Sequence, residues 1–145
     1  MMLQIVELIT KKQMLKQFHV IQQMYPDYTL QKYESLLDEM LPLQYKQVAV
    51  IEKDICIGLA GFWIATKLWS GKYLELDNVI VHSSHRSKGI GELIVKYLNQ
   101  KAAENDCNVL VLDAYTSNYR AQKFFFNHGF VPQGFHFVKH LKNKK

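Results

Sequence analysis

Two basic residues and two glycines lie close together where a helix is predicted to begin. Arg86 and Lys88 precede Gly89 and Gly91, and apolar residues recur at helical spacing from Ile90 onward. The first turn of a helix leaves backbone N–H groups without partners and carries a partial positive charge. Glycine lets such a backbone approach a bulky anion closely, and the basic side chains add full charges. This combination is the chemistry of a phosphate or pyrophosphate site.

Three interpretations of this loop compete on the residues alone. A Gly-x-Gly pair also occurs in ordinary turns before helices, where the glycines bind nothing. A Rossmann-type dinucleotide site would place an acidic residue roughly twenty positions later, and Asp113 fits that spacing. However, Ile94 stands where that fingerprint has its third glycine, and too little chain follows for a second half-sheet. The third interpretation is a site for another phosphate-bearing cofactor.

Two carboxylates on the strand before the loop have the chemistry of a base. Glu75 and Asp77 are two positions apart, and Val79 and Val81 continue the same spacing. Because side chains alternate across a strand, an unbroken strand would place all four on one face. A carboxylate can accept a proton from a group bound beside it. An equally good interpretation is that one of the two is a structural acid paired with a nearby Lys or Arg.

The elements that must position these residues follow from hydrophobic periodicity and from turn residues. Short aliphatic or alternating runs predict strands at Leu3–Leu8, Gln47–Ile51, Ile55–Leu68, Tyr73–Val81, Val109–Leu112 and Phe130–Leu141. Helical spacing predicts one helix capped by Thr10 and ending before Pro26, a second capped by Thr29 and ending before Pro42, a third from Ile90 to Asn105, and a fourth over Asn118–Asn127 followed by Gly129.

The predicted order of elements is β-α-α-β-β-β-α-β-α-β. It indicates an α/β fold with a mixed, mostly antiparallel sheet flanked by helices, in which an antiparallel meander comes first and helices connect the later strands. No repeat, low-complexity stretch or linker divides the sequence. Residues 1–145 are therefore interpreted as a single domain.

Two segments resemble the motifs of the GNAT N-acetyltransferase superfamily. Arg86–Gly91 is similar to the family's Arg/Gln-x-x-Gly-x-Gly/Ala acetyl-CoA motif, and it stands between a strand and a helix. Asn118, Ala121 and the later pair Gly129-Phe130 resemble the family's Asn-x-x-Ala…Tyr…Gly-Phe segment. The predicted order of elements also resembles the family fold from end to end, so the resemblance covers essentially the whole chain.

The resemblance implies acetyl-CoA as the co-substrate and assigns residues to it. The pyrophosphate would bind the loop and helix start formed by Arg86, Ser87, Lys88, Gly89, Ile90 and Gly91. The pantetheine arm would pair like an extra strand with the backbone of Val79, Ile80 and Val81, between that strand and Val109–Leu112. Asn118 would hydrogen-bond the arm, and its type also suits a helix N-cap.

The resemblance further implies direct transfer of the acetyl group to a primary amine through a ternary complex, with Glu75 and Asp77 as candidate bases. The family's usual tyrosine acid falls on Phe125, which cannot donate a proton. Either another group acts as the acid, or none is needed because a thiolate is a fair leaving group. The nearby candidates for an acid are Tyr115, Tyr119 and His128. The same substitution leaves open a CoA-binding regulatory module with little or no turnover.

The expected acceptor is a small-molecule or peptide amine, which aromatic residues would help to bind. The candidates are Tyr25, Tyr28, Trp63, Trp69 and Tyr73, although most of these could be core or hairpin packing. The histidine spacing favours no metal site, because His136 and His140 are roughly 13 Å apart on a strand.

Composition narrows the remaining classes of function. The 145 residues are 48% hydrophobic and 21% charged, which is too apolar for a disordered chain. No apolar run is long enough for a spanning helix, no signal peptide is recognised, and Cys56 and Cys107 are interpreted as reduced thiols. A cytoplasmic protein is therefore expected, with no membrane partner. The net charge of +5 comes without a nucleic-acid-binding motif, so no nucleic-acid partner is expected, and a homodimer is left open.

Overall fold

Five strands in the first 112 residues form one sheet. The computed structural model describes residues 2–142, in which the strands are β1 (Leu3–Leu8), β2 (Lys46–Glu52), β3 (Ile55–Lys67), β4 (Gly71–Val81) and β5 (Val109–Leu112). The strands lie in the sheet in chain order, with β1 to β4 antiparallel and β5 parallel to β4. This arrangement confirms the predicted mixed, mostly antiparallel sheet.

Helices cover both faces of this sheet. Three of them, α1 (Lys11–Leu15), α2 (Phe18–Met24) and α3 (Leu30–Met40), precede β2, and α4 (Ile90–Glu104) connects β4 to β5. The first three helices share one buried cluster with the sheet, which includes Met14, Val20, Ile21, Leu37, Leu59 and Ile80. Burying each such side chain stabilises the fold by about 1.5–3 kcal/mol, so this core holds the helices firmly against β3 and β4.

The other face of the sheet packs against α4. Gly58 on β3 allows this close approach, because a Cβ at that position would lie 2.6 Å from Cγ2 of Ile90 and 3.4 Å from Cδ1 of Ile94. Ile90, Ile94 and Leu98 are almost completely buried. The packing therefore fixes the first turn of α4, and with it the end of the glycine-bearing loop, against the sheet.

The first predicted helix is two helices in the structure. Gln17, between α1 and α2, has φ −102° and ψ 21°, outside the helical region. Its N–H bonds to the carbonyl of Met14, and its own carbonyl accepts from Val20. This tight turn changes the direction of the chain so that Met14 on α1 and Ile21 on α2 both reach the core. Local spacing predicts the helical residues here but not the break.

The chain divides into two compact units, and the sheet with its helices forms the first. The second unit begins at Asp113 and contains the helix α5 (Tyr119–Asn127). Asn118 caps this helix, and Gly129 follows its C-cap with φ +88°, as the sequence predicts. Phe125 packs edge-on against Phe124 and Phe130, with ring centroids 5.4 and 5.7 Å apart. The interpretation of residues 1–145 as one domain stays a prediction.

The predicted last strand, Phe130–Leu141, is absent from the structure. Residues 130–142 contain no strand, and Phe135 and Phe137 are 88% and 89% exposed. A strand is stable only when a neighbouring strand pairs with its backbone N–H and C=O groups, and residues 113–142 contain no other strand. The prediction of a strand here is wrong, because apolar alternation alone supplies no partner for its backbone. The other predicted elements follow in the predicted order, except that the first predicted helix is divided into α1 and α2.

Candidate cofactor loop and active site

A bulge interrupts β4 between the two carboxylates and the loop. The pairing of β3 with β4 shifts between Leu59 and Gly61, so that Asn78 and Val79 together lie opposite Ala60. Asn78 has φ +57°, in the left-handed region that asparagine tolerates better than most residues. Two residues facing one define a β-bulge, which bends the strand and increases its twist.

The bulge reverses the alternation of side chains along β4. Glu75 and Asp77 lie opposite Trp63 and Gly61, two positions apart on β3, so both carboxylates share one face as predicted. Beyond the extra residue the alternation is inverted, and Val81 lies on the opposite face. The expectation that Val81 continues the carboxylate face is wrong, because that expectation required an unbroken strand.

β4 and β5 pair only along the first part of β4. Residues 73–76 of β4 pair with the four residues of β5, which ends at Leu112, whereas β4 continues to Val81. Along Asp77–Val81 the edge that faced β5 has no neighbouring strand in the part of the chain that the structure describes. Unpaired backbone groups at such an edge can bind the amides of an extended ligand. This is the segment predicted to bind the pantetheine arm, with Val79, Ile80 and Val81.

The loop after β4 is exposed and ends on a left-handed glycine. A 3-10 turn, Ser83–His85, follows the strand, and residues 86–89 are all exposed before α4 begins at the buried Ile90. Gly89 has φ +80°, and a Cβ added to it would meet nothing within 4 Å. The glycine is therefore required by its backbone angle, and the space above it is open to a ligand. Ser87 is also left-handed, with φ +64°.

Asp77 is held in place by an indole from the neighbouring strand. Nε1 of Trp63 donates to Oδ2 of Asp77 at 3.3 Å, and the Trp63 ring lies 5.0 Å from the ring of Tyr45. Tyr45 covers Gly61, because a Cβ added at Gly61 would overlap the hydroxyl group of Tyr45. Burial raises the pKa of Tyr45 above its ordinary range, so this phenol stays neutral. Glu75, two residues before Asp77, is half-buried on the same face.

The C-terminal end of α2 reaches the bulge. Nδ2 of Asn78 donates to the Tyr25 hydroxyl group and lies 3.3 Å from Sδ of Met24. The ring of Tyr28 stacks on Tyr25, with centroids 4.6 Å apart. The signal for this contact in the sequence is an asparagine in the middle of a strand, a residue type that strands usually avoid.

The five aromatic candidates for acceptor binding fall into two groups. Tyr25 hydrogen-bonds to Asn78 in the bulge, and Trp63 hydrogen-bonds to Asp77. Tyr28 stacks on Tyr25. Trp69 and Tyr73 lie at the other end of the β3–β4 hairpin, where Tyr73 is buried and Trp69 is largely exposed. The structure therefore brings only the first three together with the candidate bases.

The second unit holds the remaining candidate residues. The side chain of Asn118 accepts from the N–H of Ala121 at 3.1 Å, which confirms its N-cap geometry. Tyr115 and Tyr119 are more than three-quarters exposed, and Nδ1 of His128 lies 2.8 Å from the carbonyl oxygen of Phe124. These contacts lie within the second unit alone.

Cysteines, metal ligands and membrane spans add no further site. Cys56 and Cys107 are both free, and burial raises the pKa of Cys56 to about 11, so its thiol is inert at neutral pH. Among residues 2–142, no group of three His, Cys, Asp or Glu side chains is arranged to hold a metal ion. Within the same residues, no helix has both the length and the apolar character needed to cross a membrane.

Known proteins share both the sequence pattern and the fold. The model of the Acetyltransferase (GNAT) family matches residues 15–130. A Bacillus subtilis (strain 168) protein, provisionally named as a [ribosomal protein bS18]-alanine N-acetyltransferase, is 28% identical over 102 residues, which are 70% of this chain and 64% of that protein. The uncharacterized N-acetyltransferase YjcF of the same organism is 32% identical over 97 residues, which are 67% of this chain and 63% of that protein.

The matches with these two curated relatives span less than two thirds of their own lengths. Among solved structures, AAC(6')-Iy in complex with the bisubstrate analogue CoA-S-monomethyl-acetylneamine superposes with a TM-score of 0.84. The superposition covers 99% of this chain and 100% of that one at 16% identity, so it establishes the shared fold. With the family model matching most of its length, and with its fold shared by a solved acetyltransferase, the chain belongs to the acetyltransferase (GNAT) family.

Proposed function

We propose that this chain is an N-acetyltransferase that moves the acetyl group of acetyl-CoA directly onto a primary amine through a ternary complex. The observation that carries the proposal is the place where β4 leaves β5. There an unpaired strand edge leads into an exposed loop at a helix start, and two carboxylates lie just before the bulge. Membership of the GNAT family supports the same reaction.

The residues at this place fit a long cofactor with phosphate groups at one end. The loop offers the N–H groups of the first turn of α4, with Arg86, Ser87, Lys88 and Gly89 exposed around them. Ile90 and Gly91 would contribute backbone N–H groups, and the edge at Val79–Val81 would hold the amide-bearing arm. Asn118 remains a candidate for binding the same arm, in addition to its N-cap bond. Acetyl-CoA supplies the thioester carbonyl carbon that the amine attacks, with the CoA thiolate as the leaving group.

The chemistry left to the protein is the removal of a proton from the acceptor. An ammonium group cannot attack a carbonyl, so Glu75 or Asp77 would accept its proton, directly or through a water molecule. Trp63 holds one carboxylate oxygen of Asp77, and the other oxygen would face the acceptor. The side chains of Tyr25 and Tyr28 would form one wall of the acceptor site.

No protein acid is required at the position of Phe125. An alkyl thiol has a pKa of about 8.5, so a thiolate can leave without being protonated first. The Phe125 ring instead packs edge-on against Phe124 and Phe130. Tyr115, Tyr119 and His128 remain candidate acids.

The acceptor is a primary amine on a small molecule or a peptide. The names of similar proteins point to both kinds, because one concerns an alanine of a ribosomal protein and AAC(6')-Iy is named as an aminoglycoside N-acetyltransferase. The two free cysteines are consistent with a reducing, cytoplasmic setting. A homodimer stays a prediction, which the mass of the protein in solution tests.

Calorimetric titration with acetyl-CoA tests the cofactor site. Wild type should bind, and Gly89→Glu should not, because it places a negative charge and a side chain at a left-handed position beside the phosphates. Gly134→Glu is the matched control, since Gly134 is exposed, has open space around it and lies outside the loop. Absence of binding to wild type would refute the cofactor site.

Thiol release from acetyl-CoA across a panel of amines and peptides tests turnover. Stimulation by at least one amine is expected. Tight cofactor binding without any stimulation across the panel would contradict the proposed reaction and favour a regulatory CoA-binding module.

A further inference from the structure

The 3-10 turn that precedes the cofactor loop is held from two sides. The backbone N–H of Ser83 donates to Oε1 of Gln23 on α2 at 2.9 Å. On the other side, Nε2 of His85 lies 3.2 Å from Oε1 of Glu52, the last residue of β2. Because Arg86 follows directly, these contacts determine where the loop begins.

Side chains within the turn continue the second of these contacts. Nδ1 of His85 lies 2.9 Å from Oγ of Ser84, and the same Oγ lies 2.7 Å from Nδ1 of His82. The backbone N–H of Ser84 also donates to Nδ1 of His82 at 3.3 Å. Three side-chain contacts therefore run in series from Glu52 to His82, and we call them, together with the bond from the Ser84 N–H, the loop tie.

Ser84 and His85 each join two other residues of the tie. The Ser84 hydroxyl group has one proton and two lone pairs, so its Oγ can bond to both histidines at once. His85 uses Nδ1 for Ser84 and Nε2 for Glu52. Loss of the His85 side chain therefore separates the rest of the turn from Glu52.

The contact between His85 and Glu52 is shielded from solvent. The side chains of His85 and Glu52 are only 22% and 15% exposed. Oε2 of Glu52 is buried and has no hydrogen-bond partner among residues 2–142, whereas Oε1 lies against Nε2 of His85. Because a shielded carboxylate is costly without a donor beside it, the contact with His85 offsets part of that cost.

The geometry points to Glu52, Ser84 and His85 as positioning residues for the cofactor loop. These residues act on acetyl-CoA through the backbone of the turn and do not serve as bases. The inference rests on the proposed function, because it takes the loop after His85 to be the cofactor loop. Breaking the tie should therefore weaken the binding of acetyl-CoA.

Calorimetry with acetyl-CoA tests the tie in four variants. Glu52→Ala and His85→Ala should each raise the Kd about five-fold, as expected for the loss of one partly exposed hydrogen bond. The double variant should bind no more weakly than either single variant, because each change breaks the same tie. Ser84→Ala, at an exposed position, should have the same direction of effect with little risk to folding. Glu39→Ala, on the exposed surface of α3, is the matched control and should bind like wild type.

The split between KM and kcat is a readout that a purely structural role would not give. With an amine that is acetylated, Glu52→Ala and His85→Ala should each raise the KM for acetyl-CoA about five-fold and leave kcat within about two-fold of wild type. An unchanged KM, a loss of kcat as large as the change in KM, or additive effects in the double variant would overturn the loop tie. If wild type fails to bind acetyl-CoA at all, the proposed function itself fails, and the two outcomes are distinguishable.

Discussion

Asn78 is the residue whose replacement tests most directly how the bulge shapes the site. Its backbone is left-handed, and its side chain bonds to the Tyr25 hydroxyl group. Asn78→Val should disrupt both features, because a β-branched residue is strongly disfavoured at positive φ and cannot form the hydrogen bond. Asn78→Gly removes the side-chain contacts with Tyr25 and Met24 but keeps the backbone angle, since glycine adopts the same φ without strain.

The magnitudes follow from these two contributions. A left-handed conformation costs an ordinary residue about 1–2 kcal/mol, and the lost hydrogen bond about 1 kcal/mol more. Asn78→Val should therefore lower the free energy of unfolding by about 2–3 kcal/mol. Asn78→Gly should remain within about 1 kcal/mol of wild type, because relief of backbone strain offsets the lost bond. Tyr25→Phe removes the same hydrogen bond from the other side. It should lower the free energy of unfolding by the hydrogen-bond contribution, about 1 kcal/mol.

Urea unfolding and acetyl-CoA titration of the same three variants complete the test. Asn78→Gly should bind acetyl-CoA nearly as wild type does, whereas Asn78→Val should bind at least several-fold more weakly, because straightening β4 would move its unpaired edge. Equal stability and equal binding in the glycine and valine variants would refute the argument that the left-handed bulge positions the cofactor edge.

Three further predictions concern stability at low pH, the packing of α4 and the catalytic base. Burial alone would raise the pKa of Glu7, but the hydrogen bond from Lys101 and other contacts hold it below its usual value of 4.5. Ionised Glu7 therefore stabilises the fold above that pH, and this contribution is lost as the pH falls through the folded pKa. In Glu7→Gln, the free energy of unfolding should depend less on pH in this range. Gly58→Ala should cost about 1–3 kcal/mol in urea unfolding, because its Cβ would collide with Ile90. Asp77→Asn should lower kcat by about 10²–10⁴ with an active amine and leave acetyl-CoA binding unchanged; an unchanged kcat would exclude it as the base.

Local patterns were sufficient for most of the elements around the site. The residues of β4, the start of α4 at Ile90 and the cap of α5 at Asn118 were predicted from periodicity and turn chemistry, which act between residues close in the chain. The placement of Glu75 and Asp77 on one face of β4 also followed from the two-residue period of a strand.

Features that depend on distant partners were not predicted. The reversal at Val81 follows from the register of β3 against β4, and Asn78 is bonded to a residue 53 positions away. The contact between His85 and Glu52 joins residues 33 positions apart, so no local motif signals it. In the second unit, the apolar alternation after Phe130 was typical of a strand, yet alternation alone provides no partner for its backbone.

The sequence by itself determined the family, the helix-start loop with its charges and glycines, and the presence of two carboxylates on β4, because each of these is written in residue type and spacing. Only the tertiary structure decided where β4 leaves β5, that Trp63 orients Asp77, and that the turn before Arg86 is tied to Glu52. Those features arise from strand register and long-range hydrogen bonds, whose energies depend on which surfaces meet after the chain has folded.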